Sequence, residues 1–226
     1  MPKTISKVNL LLNEHSFITQ NMEKIAGSKT AARNVVPEKR KAILRAATKV
    51  FANQGYFNSK VSDIASEAGI ADGTVYLYFK SKDEILHSIF DRAMVEFISE
   101  GRMELAKLST ATEKLTRIAE LHLGRLGADR DMAVVFQIEL RGSTKHMREF
   151  SAAGFAEYLD IIRETIADGQ ENGEFRKDVK PIVCAKIVYG SLDEMVTNWV
   201  LSNRHYSLEP MAKEVMKVFL QGVSTK

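Results

Sequence analysis

The sequence predicts an all-α fold, and three observations carry that prediction. Apolar residues recur at helical spacing along most of the chain, the breaks between runs fall on Gly, Pro, Ser and Asn, and no β-branched run alternates with polar residues. A chain of 226 residues, 45% apolar and 27% charged, is long enough for one large core or two modest ones.

Residues 1–36 end in the small, polar, basic run AGSKTAARNVVP and read as a flexible arm with a short helix around VNLLLNEH. From Pro37, which a first helical turn tolerates, Ile43, Leu44, Ala47, Val50 and Phe51 repeat at helical spacing until Gly55. Ser62 then offers an N-cap, Ile64, Ala65 and Ala68 an inner face, and Gly69 a stop. Further helices are expected at about 82–107, 112–126, 130–141, 145–171, 179–202 and 208–222. Breaks are expected at Ser109 and Thr110, Gly127, Gly142 and Ser143, Asn172 and Gly173, and Ser202 and Asn203.

Net charge is +3, but residues 1–80 carry +6 and the remainder −3, so an anionic partner is expected at the front end only. The lone Cys184 excludes an intrachain disulfide and fits a reducing cytoplasm. No stretch reaches the roughly 20 apolar residues of a membrane span. No phosphate loop, paired metal histidines or nucleophile elbow is present, so neither an enzyme, a metal site nor a cofactor is expected. His15, His87, His122, His146 and His205 are scattered over different elements.

The segment IASEAGIADGTVYLYFKSK, residues 64–82, decides the functional reading. It has the grammar of helix, tight turn, helix: Ala65 lets the helices cross closely, Gly69 takes the positive φ of the turn, and Val75 faces inward. In such a unit the second helix, here about Asp72 to Phe79, enters the DNA major groove. Gly73 leaves room for approach, Thr74 can meet a phosphate or a thymine methyl, and Tyr76 and Tyr78 carry hydroxyls for phosphate oxygens. Lys60, Lys80 and Lys82 supply flanking charge, and Ser81 caps the next helix. The candidate DNA-contacting set is therefore Lys60, Ser62, Asp72, Gly73, Thr74, Tyr76, Tyr78, Lys80 and Lys82, with Phe79 packed inward.

Apolar positions Phe97, Leu105, Leu121, Phe136, Leu140, Phe155, Tyr158, Tyr189 and Trp199 are candidates for lining a ligand pocket in the body. Gln137, Glu139 and Arg141 interrupt an apolar helix; they either need buried partners or form its solvated face. The last helices carry more apolar surface than their own domain requires. Ile187, Gly190, Met195, Val215, Val218 and Phe219 are accordingly candidates for a subunit contact.

VSDIASEAGIADGTVYLYFKSKDEIL, with the preceding RKAILRAATKVFANQGY, resembles the DNA-binding signature of TetR-type bacterial transcriptional repressors over residues 39–86. The resemblance implies an arm at 1–36, a DNA-binding domain at 37–82 and a ligand-binding and dimerisation domain at 83–226. Its last two helices would pair with a second subunit. AVVFQIELRGS and VYGSLDEMVTNWVLSNRHYSL are similar to the FadR-like subgroup, which represses fatty-acid degradation and responds to long-chain acyl-CoA. That implies a homodimer on an operator, with Arg102, Arg141 and Arg148 as cations for the CoA phosphates. The alternatives are a regulator of drug efflux or of another CoA-thioester pathway, or a helical protein-interaction module.

Overall fold

The structure is a computed structural model that describes residues 38–143, 145–146, 154–202 and 206–225. The arm at 1–36, Arg148, His15 and His205 lie outside the described residues. The chain divides into two compact units, 1–43 and 44–226. Of the first, residues 38–43 are described; they are helical, with Lys41 paired to Glu38 at 3.0 Å.

The second unit opens with α1 (44–54), which stops at Gly55, where a φ of +80° lets the chain turn away. Next come α2 (Val61–Glu67), α3 (Asp72–Tyr76), α4 (Lys82–Leu105), α5 (Ala111–Ala128), α6 (Arg130–Val134), α7 (Gly154–Glu171), α8 (Pro181–Leu201) and α9 (Met211–Val223). Among the described residues there is no strand, only an isolated bridge between Phe175 and Ser224.

Several sequence expectations need adjustment. The N-cap of α2 is Lys60, whose backbone N–H donates to Asp63 Oδ2 at 2.7 Å; Ser62 lies within the helix, exposed. Asp63, at the third helical position, thus reaches back to the N-cap backbone as the acidic member of a capping box does. Gly127 does not break α5, which runs to Ala128; a Cβ there would stand 3.0 Å from that of Leu208, so this glycine admits a neighbour. Ser81 caps α4 as expected, accepting from Glu84 N at 3.1 Å.

The helix expected at 130–141 is real but changes pitch: α6 is followed by a π turn (Val135–Glu139) and a 3-10 turn (Leu140–Gly142). Changes of this kind re-aim side chains within one continuous element and recur at functional sites.

Helix α5 is central, touching α4, α7, α8 and α9. Its Leu115, Ile118 and Leu123 are buried in one core with Ile162 and Ile166 of α7, Val188, Leu192 and Val196 of α8, and Ala212 and Met216 of α9. Thr110 and Glu113 cap its start, and Glu174 accepts from the backbone N–H groups of Ala111 and Thr112 at 2.8 and 3.0 Å. These bonds hold Glu174 below the usual carboxylate range against the opposing effect of burial.

Candidate nucleic-acid interface and ligand cavity

The turn between α2 and α3 is built as the sequence requires: Gly69 has φ +66°, and Ile64, Ala65 and Val75 are fully buried. The second helix is shorter than expected, ending at Tyr76 with Leu77 as its C-cap rather than at Phe79, and that burial fixes what it and the turn after it show to solvent. Asp72, Gly73 and Tyr76 are exposed, Thr74 and Tyr78 are half-buried, and Phe79 is buried. Leu77 was not anticipated: it is 81% exposed, beside Tyr76 at 57%.

Lys60 and Lys80 are exposed on either side of the unit. Lys82 differs from the expectation. Its ammonium donates to the carbonyls of Tyr56 and Ser59 at 2.6 and 2.8 Å and lies 4.4 Å from the Tyr56 ring centre. Burial lowers its pKa. The charge ties α4 to the loop before α2 because that loop's carbonyls have no helical partners.

Tyr56 joins three parts of the molecule. Its N–H donates to Glu139 Oε2 at 2.6 Å, its carbonyl accepts from Lys82, and its hydroxyl donates to Asp83. Asp83 also accepts from Lys145 Nζ at 2.8 Å. The Lys145 and Tyr56 bonds lower the Asp83 carboxyl from an ordinary 3.8 to about 2. A carboxylate with a depressed folded pKa stabilises the protein above its unfolded value, and that contribution is lost as pH falls through about 2. Asp83→Asn is therefore expected to lower the melting temperature near neutrality and to flatten its acid dependence. Thermal unfolding of both proteins between about pH 2 and 5 checks this; parallel curves would show that Asp83 gains nothing from its partners.

A cavity of about 460 Å³ lies between α1, α4, α5, α7, α8 and the 135–142 turns. Ile89, Met94, Phe97, Leu126, Met132, Phe136, Leu140 and Phe155 supply apolar wall, and Leu44, Arg45 and Thr48 of α1 complete it. Of the sequence candidates, Phe97, Phe136, Leu140, Arg141, Phe155, Tyr158 and Tyr189 line it, and Leu121 is not among the lining residues. Leu105 and Trp199 do not: both are buried in the body core, with Trp199 under the Arg130 guanidinium at 4.9 Å. Arg102 points elsewhere, paired with Glu157 at 2.8 Å. The cations on the wall are instead Arg45, Arg92, Arg125 and Arg141, against the carboxylates Glu96, Asp129 and Asp193. Periodicity missed Arg45, Arg92 and Arg125 because an arginine on the solvent side of its helix looks the same whether it faces bulk water or a cavity mouth.

Arg141 and Gln137 prove to be partnered rather than merely solvated. Arg141 Nη2 donates to Asp193 at 2.7 and 2.6 Å, and Gln137 Nε2 and the Tyr189 hydroxyl donate to the same carboxylate at 3.1 and 3.0 Å. The 135–142 turns thus place Phe136, Gln137, Leu140 and Arg141 on the cavity while Glu139 reaches Tyr56.

Comparison with known proteins agrees with both halves of this description. The tetR family of bacterial regulatory proteins matches residues 43–89, and the C-terminal region of YsiA-like proteins matches residues 90–222. The fatty acid metabolism regulator protein of Bacillus subtilis is 35% identical over 184 residues, covering 81% of this chain and 95% of that one. The crystal structure of FadR from Bacillus subtilis in complex with stearoyl-CoA aligns with a TM-score of 0.77 at 34% identity, covering 80% of this chain and 98% of that one. A transcriptional regulator from Saccharomonospora viridis in complex with choline aligns at 0.72 and 26% identity, covering 84% and 100%. TetR regulators bind DNA as dimers. No helix among the described residues is long and apolar enough to cross a membrane. The helix-turn-helix head, the helical body behind it and these matches together place the chain in the TetR family of DNA-binding transcriptional regulators.

Proposed function

We propose that this chain represses genes of fatty-acid metabolism and leaves its operator when a long-chain acyl-CoA enters the cavity. The observation that carries the reading is the composition of the cavity wall: apolar side chains of the body, arginines, and Leu44, Arg45 and Thr48 of α1 on the same surface. At about 460 Å³ the cavity falls within the roughly 300–1,000 Å³ range of small-molecule sites, and its apolar wall suits an acyl chain. Arg45 suits a CoA phosphate, and Arg92 and Arg125, paired with Glu96 and Glu100, would exchange those carboxylates for phosphates. A ligand spanning them would touch the helix that carries the reading head, so its binding energy can favour one placement of that head over another. The relative crystallised with stearoyl-CoA supports the same ligand class.

A cationic effector such as the choline of the second relative is disfavoured. The wall carries four arginines against three carboxylates, and Asp193 is already neutralised by Arg141. On the DNA side, Thr74, Tyr76, Leu77 and Tyr78 would read or grip the groove, with Lys60 and Lys80 on the phosphates; Lys82 would act by holding the loop. The homodimer would use Val183, Ile187 and Gly190 of α8 and Val218 of α9, with Ile187 52% and Val218 73% exposed. Met195, Val215 and Phe219, also candidates from sequence, pack against the body core and would support that face from beneath.

The test is operator binding titrated with acyl-CoAs of increasing length, free fatty acids and choline. Palmitoyl- or stearoyl-CoA is expected to weaken the complex at least about tenfold, within the usual 5–150-fold range of allosteric coupling. Release by choline with no response to any CoA thioester would overturn the reading.

A further inference from the structure

Among the polar groups on the cavity wall are two hydrogen-bonded sets, one around Asp193 and one around His122, and only the first is complete. Asp193 accepts from Arg141, Tyr189 and Gln137, and Gln137 Oε1 accepts from Thr197 Oγ1 at 3.0 Å, so that set is closed within the protein. The other set is His122 and Tyr158. The imidazole Nδ1 and the phenol oxygen are 2.9 Å apart, and both residues line the cavity at 7% and 4% exposure. His122 Nε2 is buried with no hydrogen-bond partner among the described residues. Its surroundings are aromatic: Phe97 and Tyr189 meet the imidazole edge-on at 6.3 and 6.2 Å between ring centres, and Tyr158 stacks on it at 5.8 Å.

The pair lacks an acceptor for one of its two protons. Burial lowers the His122 pKa to about 4, so the ring is neutral at pH 7 and carries one N–H. Burial pushes the Tyr158 hydroxyl up, so it keeps its O–H. The pair holds two polar hydrogens and shares one contact. If Tyr158 donates to Nδ1, the Nε2–H has no acceptor; if Nδ1–H donates to Tyr158, the phenol hydrogen has none. Either tautomer leaves one donor unmet, on the enclosed Nε2 or on the Tyr158 hydroxyl, at a pair that lines the cavity, and an unmet donor is costly.

We propose that His122 and Tyr158 form an oxygen-reading subsite that donates to the thioester carbonyl of the bound acyl-CoA. This rests on the acyl-CoA reading and adds to it the atom that is recognised. A saturated chain has no acceptor to offer; the thioester has one. A carboxylate fits less well, because the pair is neutral and the Arg141 charge is already matched by Asp193. The subsite thus favours the thioester over the free acid by local chemistry, apart from any contact to the CoA phosphates.

The test compares palmitoyl-CoA with S-hexadecyl-CoA, a thioether in which CH₂ replaces C=O, by calorimetric titration of the full chain. The wild type is expected to bind the thioether about tenfold more weakly, the loss typical of a site left with an unpaired polar group. In a His122→Phe/Tyr158→Phe variant, which removes both polar partners together, the two ligands are expected to bind alike. Equal affinity in the wild type overturns the subsite, whether or not the variant folds. An undiminished preference in a folded variant also overturns it, by placing carbonyl recognition elsewhere. Binding of neither ligand by the wild type defeats the acyl-CoA reading itself and the subsite with it.

Discussion

Glu139→Ala is expected to bind acyl-CoA with nearly unchanged affinity and yet to stay on the operator. The side chain is absent from the cavity wall, so the ligand loses no contact. What disappears is the 2.6 Å bond from the Tyr56 N–H to Glu139 Oε2. A hydrogen bond to a charged group stabilises by about 1.5–3 kcal/mol, the same size as a typical coupling free energy. Tyr56 also accepts from Lys82 and donates to Asp83, and Lys82 holds the Ser59 carbonyl just before α2. A ligand pressing on Phe136 or Leu140 of the 135–142 turns would therefore shift Glu139, the partner of Tyr56, and through it the loop before α2. The measurement is operator affinity with and without saturating palmitoyl-CoA. The wild-type ratio of tenfold or more should fall to about one to three in Glu139→Ala, with Glu139→Gln in between because an amide oxygen still accepts. An unchanged ratio would show that the signal passes another way, for instance directly through Arg45.

Gly169→Ala is expected to destabilise more than an alanine at any other described glycine of this chain. Gly169 sits in the last turn of α7, where a Cβ would overlap the ring of Phe175 and stand 2.7 Å from Ala111 Cβ. Phe175 is itself fully buried, so its ring cannot swing into solvent. Either α7 moves away from the start of α5 or the ring leaves its site. Overpacking of this kind costs about 1–3 kcal/mol, and the upper end applies because the clashing atoms belong to two different elements. A loss of about 3 kcal/mol corresponds to a fall of roughly 6–12 °C in melting temperature for a domain of this size. Gly101→Ala is the control: nothing lies within 4 Å of a Cβ there, so alanine should stabilise α4 by up to about 1 kcal/mol. Equal melting temperatures for the two variants would show that the α7 contact yields.

The sequence by itself determined the helical class, the position of almost every helix and the reading head. These depend on local chemistry: spacing that makes a face, glycines that accept positive φ at 55, 69 and 173, and a cap at Ser81. Even so, a glycine pattern does not reveal why the glycine is there. Gly127 reads as a break and Gly169 as an ordinary position of the helix expected at 145–171, while both in fact make room for a neighbour. Tertiary structure alone decided which body residues surround empty space. Trp199 and Leu105 have the same periodic signature as Phe97 and Tyr158, yet the first two fill the core and the latter two line the cavity. It also decided which charges remain available: Lys82 is held by two carbonyls 23 and 26 residues away, and Arg141 by a carboxylate 52 residues away. A charge's function depends on what the fold brings to within about 3 Å of it, and those partners are set by helix packing, which no short window of sequence contains.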